Sequence, residues 1–210
     1  MTTVRHLVSV LFVALLAGCA GIVDKPVRPT LYDFGPGQTT APATAAPTRA
    51  PLVLADIDAA GALDGTAVLY RLGYADDHQL RPYAQARWSA PPTQLVRQRL
   101  RELMGRERIV LNPGEGAALA RTGGFLPRAL RLELEEFSHL FQSPTQSVGL
   151  VRIRATLLEN TAGGEKLLAQ RNVVVQRPAP SADAPGGVRA MTAAVDGAAE
   201  ELIQWLAQVP

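Results

Sequence analysis

Between residues 130 and 176 the chain repeats one pattern three times. Leu130, Leu132 and Leu134 alternate with Arg131, Glu133 and Glu135, the period-2 signature of a strand buried on one face. Residues 148–159 repeat it, with Val151, Ile153, Ala155 and Leu157 set against Arg152, Arg154 and Thr156. A turn at 160–164 leads to a third strand over 166–176. The run Glu135-Glu136-Phe137 breaks the first alternation and points to a β-bulge. Three consecutive strands with loop connections predict an antiparallel meander, and its apolar face needs a covering layer.

Two amphipathic stretches can supply that layer. Pro91-Pro92 opens a helix running to about Gly105, since proline suits a first turn whose N–H groups lack partners. It places Leu95, Val96, Leu100, Leu103 and Met104 on one face and Gln94, Arg97, Gln98 and Arg101 on the other. A final helix over 188–207 carries Met191, Val195, Ala198, Leu202 and Leu206 at spacings of three and four. Shorter strands are predicted at 52–57, 67–74 and 108–111, and a weaker one over 79–88 around Tyr83. Residues 112–124 read as loop with a brief helical turn at 116–120, and 177–187 as a polar, proline-rich loop. The fold class that follows is α+β: a two-layer sandwich with a largely antiparallel sheet and two amphipathic helices on one face.

The N-terminus looks like an export signal. Arg5 and His6 precede an apolar run over 7–16, too short to span a bilayer. The run leads to Leu16-Ala17-Gly18-Cys19, an arrangement like a bacterial lipobox, in which Cys19 is the lipid attachment site and residues 1–18 are removed. Cys19 is the sole cysteine, so no internal disulfide can form. Two rival readings stay open: an uncleaved anchor extending to Val23, and ordinary cleavage near Ala20. In lipoproteins of this type an aspartate after the cysteine signals inner-membrane retention; Ala20 stands there instead, implying the periplasmic face of the outer membrane. Residues 39–47 are rich in Thr, Ala and Pro, with nothing to bury, and are expected to be mobile. One island, 31–35 (LYDFG), reads as a short docked strand.

Composition excludes more than it selects. Lys and Arg number 21 against 19 Asp and Glu, a formal charge of +2, so no nucleic-acid footprint is present. Asp76-Asp77-His78 is the nearest approach to a metal site and reads as a solvated loop. Ser138 and His139 are adjacent, which does not provide relay geometry, and neither a nucleophile elbow nor a P-loop occurs. Glu133, Glu135 and Glu136 read as an exposed strand face. No catalytic, cofactor or metal site is predicted, and the chain is read as a non-enzyme. Arg97, Arg99, Arg101, Arg106 and Arg108 crowd the first helix and its exit, opposed by Glu102 and Glu107. They form either a contact surface for an acidic partner or anionic headgroups, with Arg97 and Arg101 as contacts, or a solvated face with local ion pairs.

The most distinctive stretch is Tyr83-Ala84-Gln85-Ala86-Arg87-Trp88-Ser89-Ala90-Pro91-Pro92. It resembles the hallmark of the ABC-type transport auxiliary lipoproteins (the PqiC/YmbA-like group), in which Tyr and Arg-Trp lead through small residues and proline into the first helix. Leu31-Tyr32-Asp33-Phe34 and Tyr70-Arg71-Leu72 resemble that family's early strands. The resemblance implies a domain over 30–210, joined to Cys19 by a tether at 19–29; the sequence departs from it at 36–50, a proline- and alanine-rich tract longer than a compact connection needs, which reads as a flexible insertion. The resemblance also implies partners: a periplasmic MCE-type (mammalian cell entry) protein with its ABC permease and ATPase, for which the lipoprotein is a docking or capping module in intermembrane lipid transport. Trp88 is either an exposed partner contact or a packing anchor for the first helix. Homo-oligomerisation stays open. The rival reading is an envelope lipoprotein that assists insertion of lipopolysaccharide or outer-membrane proteins; a periplasmic hydrolase, the third class, lacks a site.

Overall fold

The computed structural model describes residues 27–37, 49–123, 126–161 and 163–210. The predicted signal, Cys19 and most of the predicted insertion lie outside them. In chain order the elements are β1 (Thr30–Tyr32), β2 (Arg49–Ala59), β3 (Ala67–Leu72), β4 (Asp76–Trp88), α1 (Pro92–Met104), β5 (Arg108–Leu111), α2 (Pro113–Gly123), β6 (Arg128–Phe141), β7 (Ser147–Thr161), β8 (Gly164–Pro178) and α3 (Ala184–Gln208). The strands form one eight-stranded sheet.

The meander is β6–β7–β8, antiparallel along its full length. Leu134, Ile153 and Val173 stand in one row across the three strands, and Phe137, Val151 and Val175 in another. All six are buried. Between these rows the register shifts, with Leu134 opposite Ile153 but Glu136 opposite Arg152. The extra residue is the bulge that the sequence break predicts. It changes the parity of β6, so that Phe137, like Leu130, Leu132 and Leu134, joins the main core.

On its other edge β6 forks. Its N-terminal half pairs in parallel with β2, from Leu52 opposite Arg128 to Ala59 opposite Leu134. Its C-terminal end pairs in parallel with β3, with Tyr70 opposite His139. One branch continues β2–β5, parallel, and the other β3–β4–β1, with β4 antiparallel to β3 and β1 parallel to β4. The longest ladders are antiparallel, as expected, but these parallel pairings are not foreseen by the sequence reading.

Helices α1 and α3 lie on one face and pack against each other and the sheet. Leu100, Met104, Met191, Val195, Ala198 and Leu202 are all fully buried there. Helix α3 starts at Ala184, earlier than the predicted 188. The Asp183 carboxylate caps it, accepting from the Gly186 N–H at 2.8 Å. Gly187 permits the start of α3 to press against the His139 ring, where an added Cβ would collide. Residues 113–123, predicted as loop with one helical turn, are the helix α2. The Glu115 carboxylate reaches back to the Asn112 N–H at 2.6 Å, and Pro113 opens the helix, half of a capping box on a proline start. Gly116 brings α2 close to Val53. Val53 belongs to a small second cluster with Ala129 and Leu158, separate from the main core.

Candidate functional site

The stretch 83–92 is a structural clasp. Trp88 ends β4, donating its N–H to the Thr66 carbonyl at 2.7 Å, while the Ser89 N–H reaches the Tyr32 carbonyl at 2.7 Å. Its indole is 1% exposed. Phe34 meets it edge-on at 5.5 Å between centroids, and Phe137 lies 5.4 Å away. Trp88 therefore offers a partner no surface in this fold: its ring joins the segment after β1 to the core, as a packing anchor does. Arg87 turns back onto its own strand, donating to the carbonyls of Tyr83 and Ala86.

Arg97 and Arg101 converge on Asn112, whose side-chain oxygen accepts from both at 2.8 Å. Beyond that they differ. The Arg97 guanidinium spans the carbonyls of Leu54 (3.0 Å) and Ala55 (3.2 Å) and pairs with Asp56 at 3.3 Å, with its side chain 20% exposed. It staples α1 to β2. Arg101 is 41% exposed and has only a distant ion pair, 3.9 Å to Glu115. Arg99 turns inward to Asp196 of α3. Of the three residues singled out as partner contacts, Arg101 alone presents much of its side chain to solvent.

The other constellations resolve into paired charges. Glu135 bonds Arg152 at 2.9 Å and also meets Arg154, Glu133 lies 3.4 Å from Arg154, and Glu136 takes two hydrogen bonds from Arg71 at 3.1 and 2.9 Å. Asp76, Asp77 and His78 begin β4 rather than occupying a loop. Their ligand atoms lie within 4.8 Å of one another, and His78 is 94% exposed beside Asp77 at 2.9 Å. An exposed acidic cluster of this kind needs no ion. His139, by contrast, is fully buried. Its Nδ1 sits 2.8 Å from the Tyr83 hydroxyl, its Nε2 has no hydrogen-bond partner, and neither does the neighbouring Ser138 hydroxyl. Burial lowers the His139 pKa to about 4, against a weak opposing pull from Asp183. Burial, with Tyr70 and Asp183 adding, raises that of Tyr83, which keeps the phenol protonated. A fully buried, neutral imidazole receiving a phenol hydrogen bond is a core packing element.

The sequence reading missed a cleft of about 700 Å³ at the end of the sheet where β2, β5 and β6 begin. Arg108 and Arg128 line it with Leu52, Leu126, Leu157 and Leu206. The available signal was that Arg49, Arg108 and Arg128 each open a strand. The sequence does not reveal that those three strands are adjacent and parallel.

Among the described residues no helix is long and apolar enough to cross a membrane. No curated protein matches the sequence. The chain is similar in fold to a solved protein of Xanthomonas campestris, with a TM-score of 0.66 at 20% identity over 84% of this chain and 94% of that one. A hypothetical protein of Chlamydia trachomatis superposes with a TM-score of 0.51 at 7% identity, covering 77% of this chain and 97% of its own. These likenesses concern the fold alone. Residues 32–202, which include the clasp, the sheet from the end of β1 onward and the first three-quarters of α3, match the family described as the ABC-type transport auxiliary lipoprotein component, and the chain belongs to that family.

Proposed function

We propose that this protein is anchored through lipidated Cys19 at the periplasmic face of the outer membrane. There it serves as a non-catalytic docking or capping module for an MCE-type lipid transporter and its ABC permease and ATPase. The observation that carries the reading is the family match over 32–202, an auxiliary component of ABC-type transport. The export signal and the Leu16-Ala17-Gly18-Cys19 motif support the anchor, and Ala20 in place of aspartate supports the outer membrane. Two or more acyl chains on one cysteine hold a protein stably at a bilayer, whereas one does so only marginally. A partner surface would centre on Arg101, in the partly exposed last turn of α1.

Two experiments test the reading. The full chain is expected to co-purify from membranes with the MCE-domain protein and to fractionate with outer membranes. Cys19→Ala is expected to keep the fold and leave the membrane fraction. Failure of the partner to co-purify in the presence of membranes, or full transport by an exported but unlipidated Cys19→Ala protein, would overturn the proposal.

A further inference from the structure

Arg49 and Arg108 stand directly opposite each other on the parallel strands β2 and β5. Like charges placed so destabilise a sheet, and the two are resolved differently. Arg49 reaches outward to Glu107 at 2.8 Å. Arg108 shares the parity of Val110, a main-core residue, while Ile109 between them faces solvent. The Arg108 side chain is thereby directed to the core face, at the rim of the cleft below the C-terminal end of α3. Among the described residues it makes no ion pair and donates no hydrogen bond. Burial and the neighbouring Arg49 both depress its pKa, with Glu107 opposing. A partly desolvated guanidinium without a partner is costly unless something negative joins it.

The surroundings define what could. The aliphatic side chains of the cleft that keep surface open are Leu126, 42% exposed, and the half-buried Val209, with Leu52, Leu157 and Leu206 buried in the same lining. The cleft volume is within the range of small-molecule sites, which are mostly apolar with a few placed polar groups. Two other charges line it. Arg128 donates to the main-chain oxygen of Pro210 at 2.6 Å, which spends a donor but leaves its charge in place, and Glu159 is the one acidic side chain of the lining. Two guanidiniums against one carboxylate make the lining side chains net positive by one, which favours a ligand head with a single negative charge.

We propose that this cleft binds an anionic amphiphile, its singly charged carboxylate or phosphodiester head on Arg108 and its aliphatic chain against Leu126 and Val209. The site would belong to the auxiliary domain itself and does not depend on which transporter the chain serves.

The test uses the full chain in nanodiscs of zwitterionic phospholipid. The probes are a sixteen-carbon carboxylic acid bearing a photoreactive diazirine and its uncharged methyl ester. The acid is expected to crosslink to Leu126 or Val209, with the ester at least tenfold lower. Arg108→Leu removes the head partner without adding a buried charge, and Val209→Trp fills the cleft; each should reduce acid crosslinking at least tenfold while circular dichroism and melting show a folded protein. A sixteen-carbon alkyl phosphodiester should compete with the acid. Equal labelling by acid and ester, labelling unchanged in Arg108→Leu, or no crosslink in the cleft would overturn the proposal. Displacement of the acid by 10 mM inorganic phosphate as effective as by excess unlabelled acid would also overturn it, marking a simple anion site.

Discussion

Arg99 on α1 grips Asp196 on α3 with two hydrogen bonds, Nε to Oδ1 at 2.6 Å and Nη2 to Oδ2 at 3.0 Å. The side chains are 15% and 35% exposed, and hydrogen bonding to Asp196 holds the Arg99 pKa above its usual value. This fork fixes how the two covering helices meet, and its geometry is the bidentate kind that outperforms ordinary surface pairs. A double-mutant cycle with Arg99→Gln and Asp196→Asn should yield a coupling of about 1 kcal/mol by urea denaturation. Additivity within error would mean that the contact contributes nothing to helix docking.

His139 predicts a specific pH dependence. Its folded pKa of about 4 lies below its ordinary value of 6.5, so the unfolded chain binds the extra proton first. The contribution to stability is complete above pH 6.5 and is lost as pH falls toward 4, up to roughly 3 kcal/mol. The groups acting on the ring are Tyr83, through its hydrogen bond, and Asp183 at the start of α3. Urea titrations at pH 7.5, 5.5 and 4.5 should show this decline, and His139→Leu should flatten it over that window.

Arg97 and Arg101 should separate stability from recognition. Arg97→Ala removes donors from two strand carbonyls and one of the two that Asn112 accepts from, a loss of about 1–3 kcal/mol. Arg101→Glu leaves the core untouched but gives up the Asn112 hydrogen bond and the distant pair with Glu115, and should cost about 0.5–1 kcal/mol. If α1 contacts an acidic partner, co-purification should fall in Arg101→Glu while the fold stays intact.

Two glycines should respond oppositely to alanine. A Cβ at Gly149 would meet the backbone of Ala190 and Met191 in α3, which cannot step aside as a flexible side chain can. Gly149→Ala should cost at least about 3 kcal/mol or prevent folding. A Cβ at Gly114, in the first turn of α2, meets nothing within 4 Å. Gly114→Ala should be neutral or stabilising by up to about 1 kcal/mol. Thermal melts of both variants check the pair.

What could be read from the residues depended on how local its cause was. The strands of the meander, the break at Glu135 and the two covering helices follow from spacing within a few turns or rungs, and all are present. The parallel pairing of β2 and β3 with β6 was not legible, because alternation shows that a strand is half-buried but not which neighbour it joins. The glycines of α2 disguise it as a loop, although Asn112-Pro113-Gly114-Glu115 carries a proline start and a backbone-reaching glutamate. Arg97 reads as an outer-face residue on a helical wheel, but its long stem lets the guanidinium reach β2. The cleft is beyond reach for the same reason as the parallel pairs: Arg108 and Arg128, far apart in sequence, come to line one cleft only through register.

The fork in β6 has a consequence for how the domain comes apart. The β2–β5 and β1–β4–β3 branches join the sheet at different ends of that one strand. Either branch can open without breaking the other's hydrogen bonds, so they can form separate cooperative units. β1, with its three-residue ladder, sits at the outer edge of one branch and should exchange its amide protons early. Leu130 to Leu134 of β6, bound by β2 on one side and β7 on the other, should surrender them only when the whole domain unfolds.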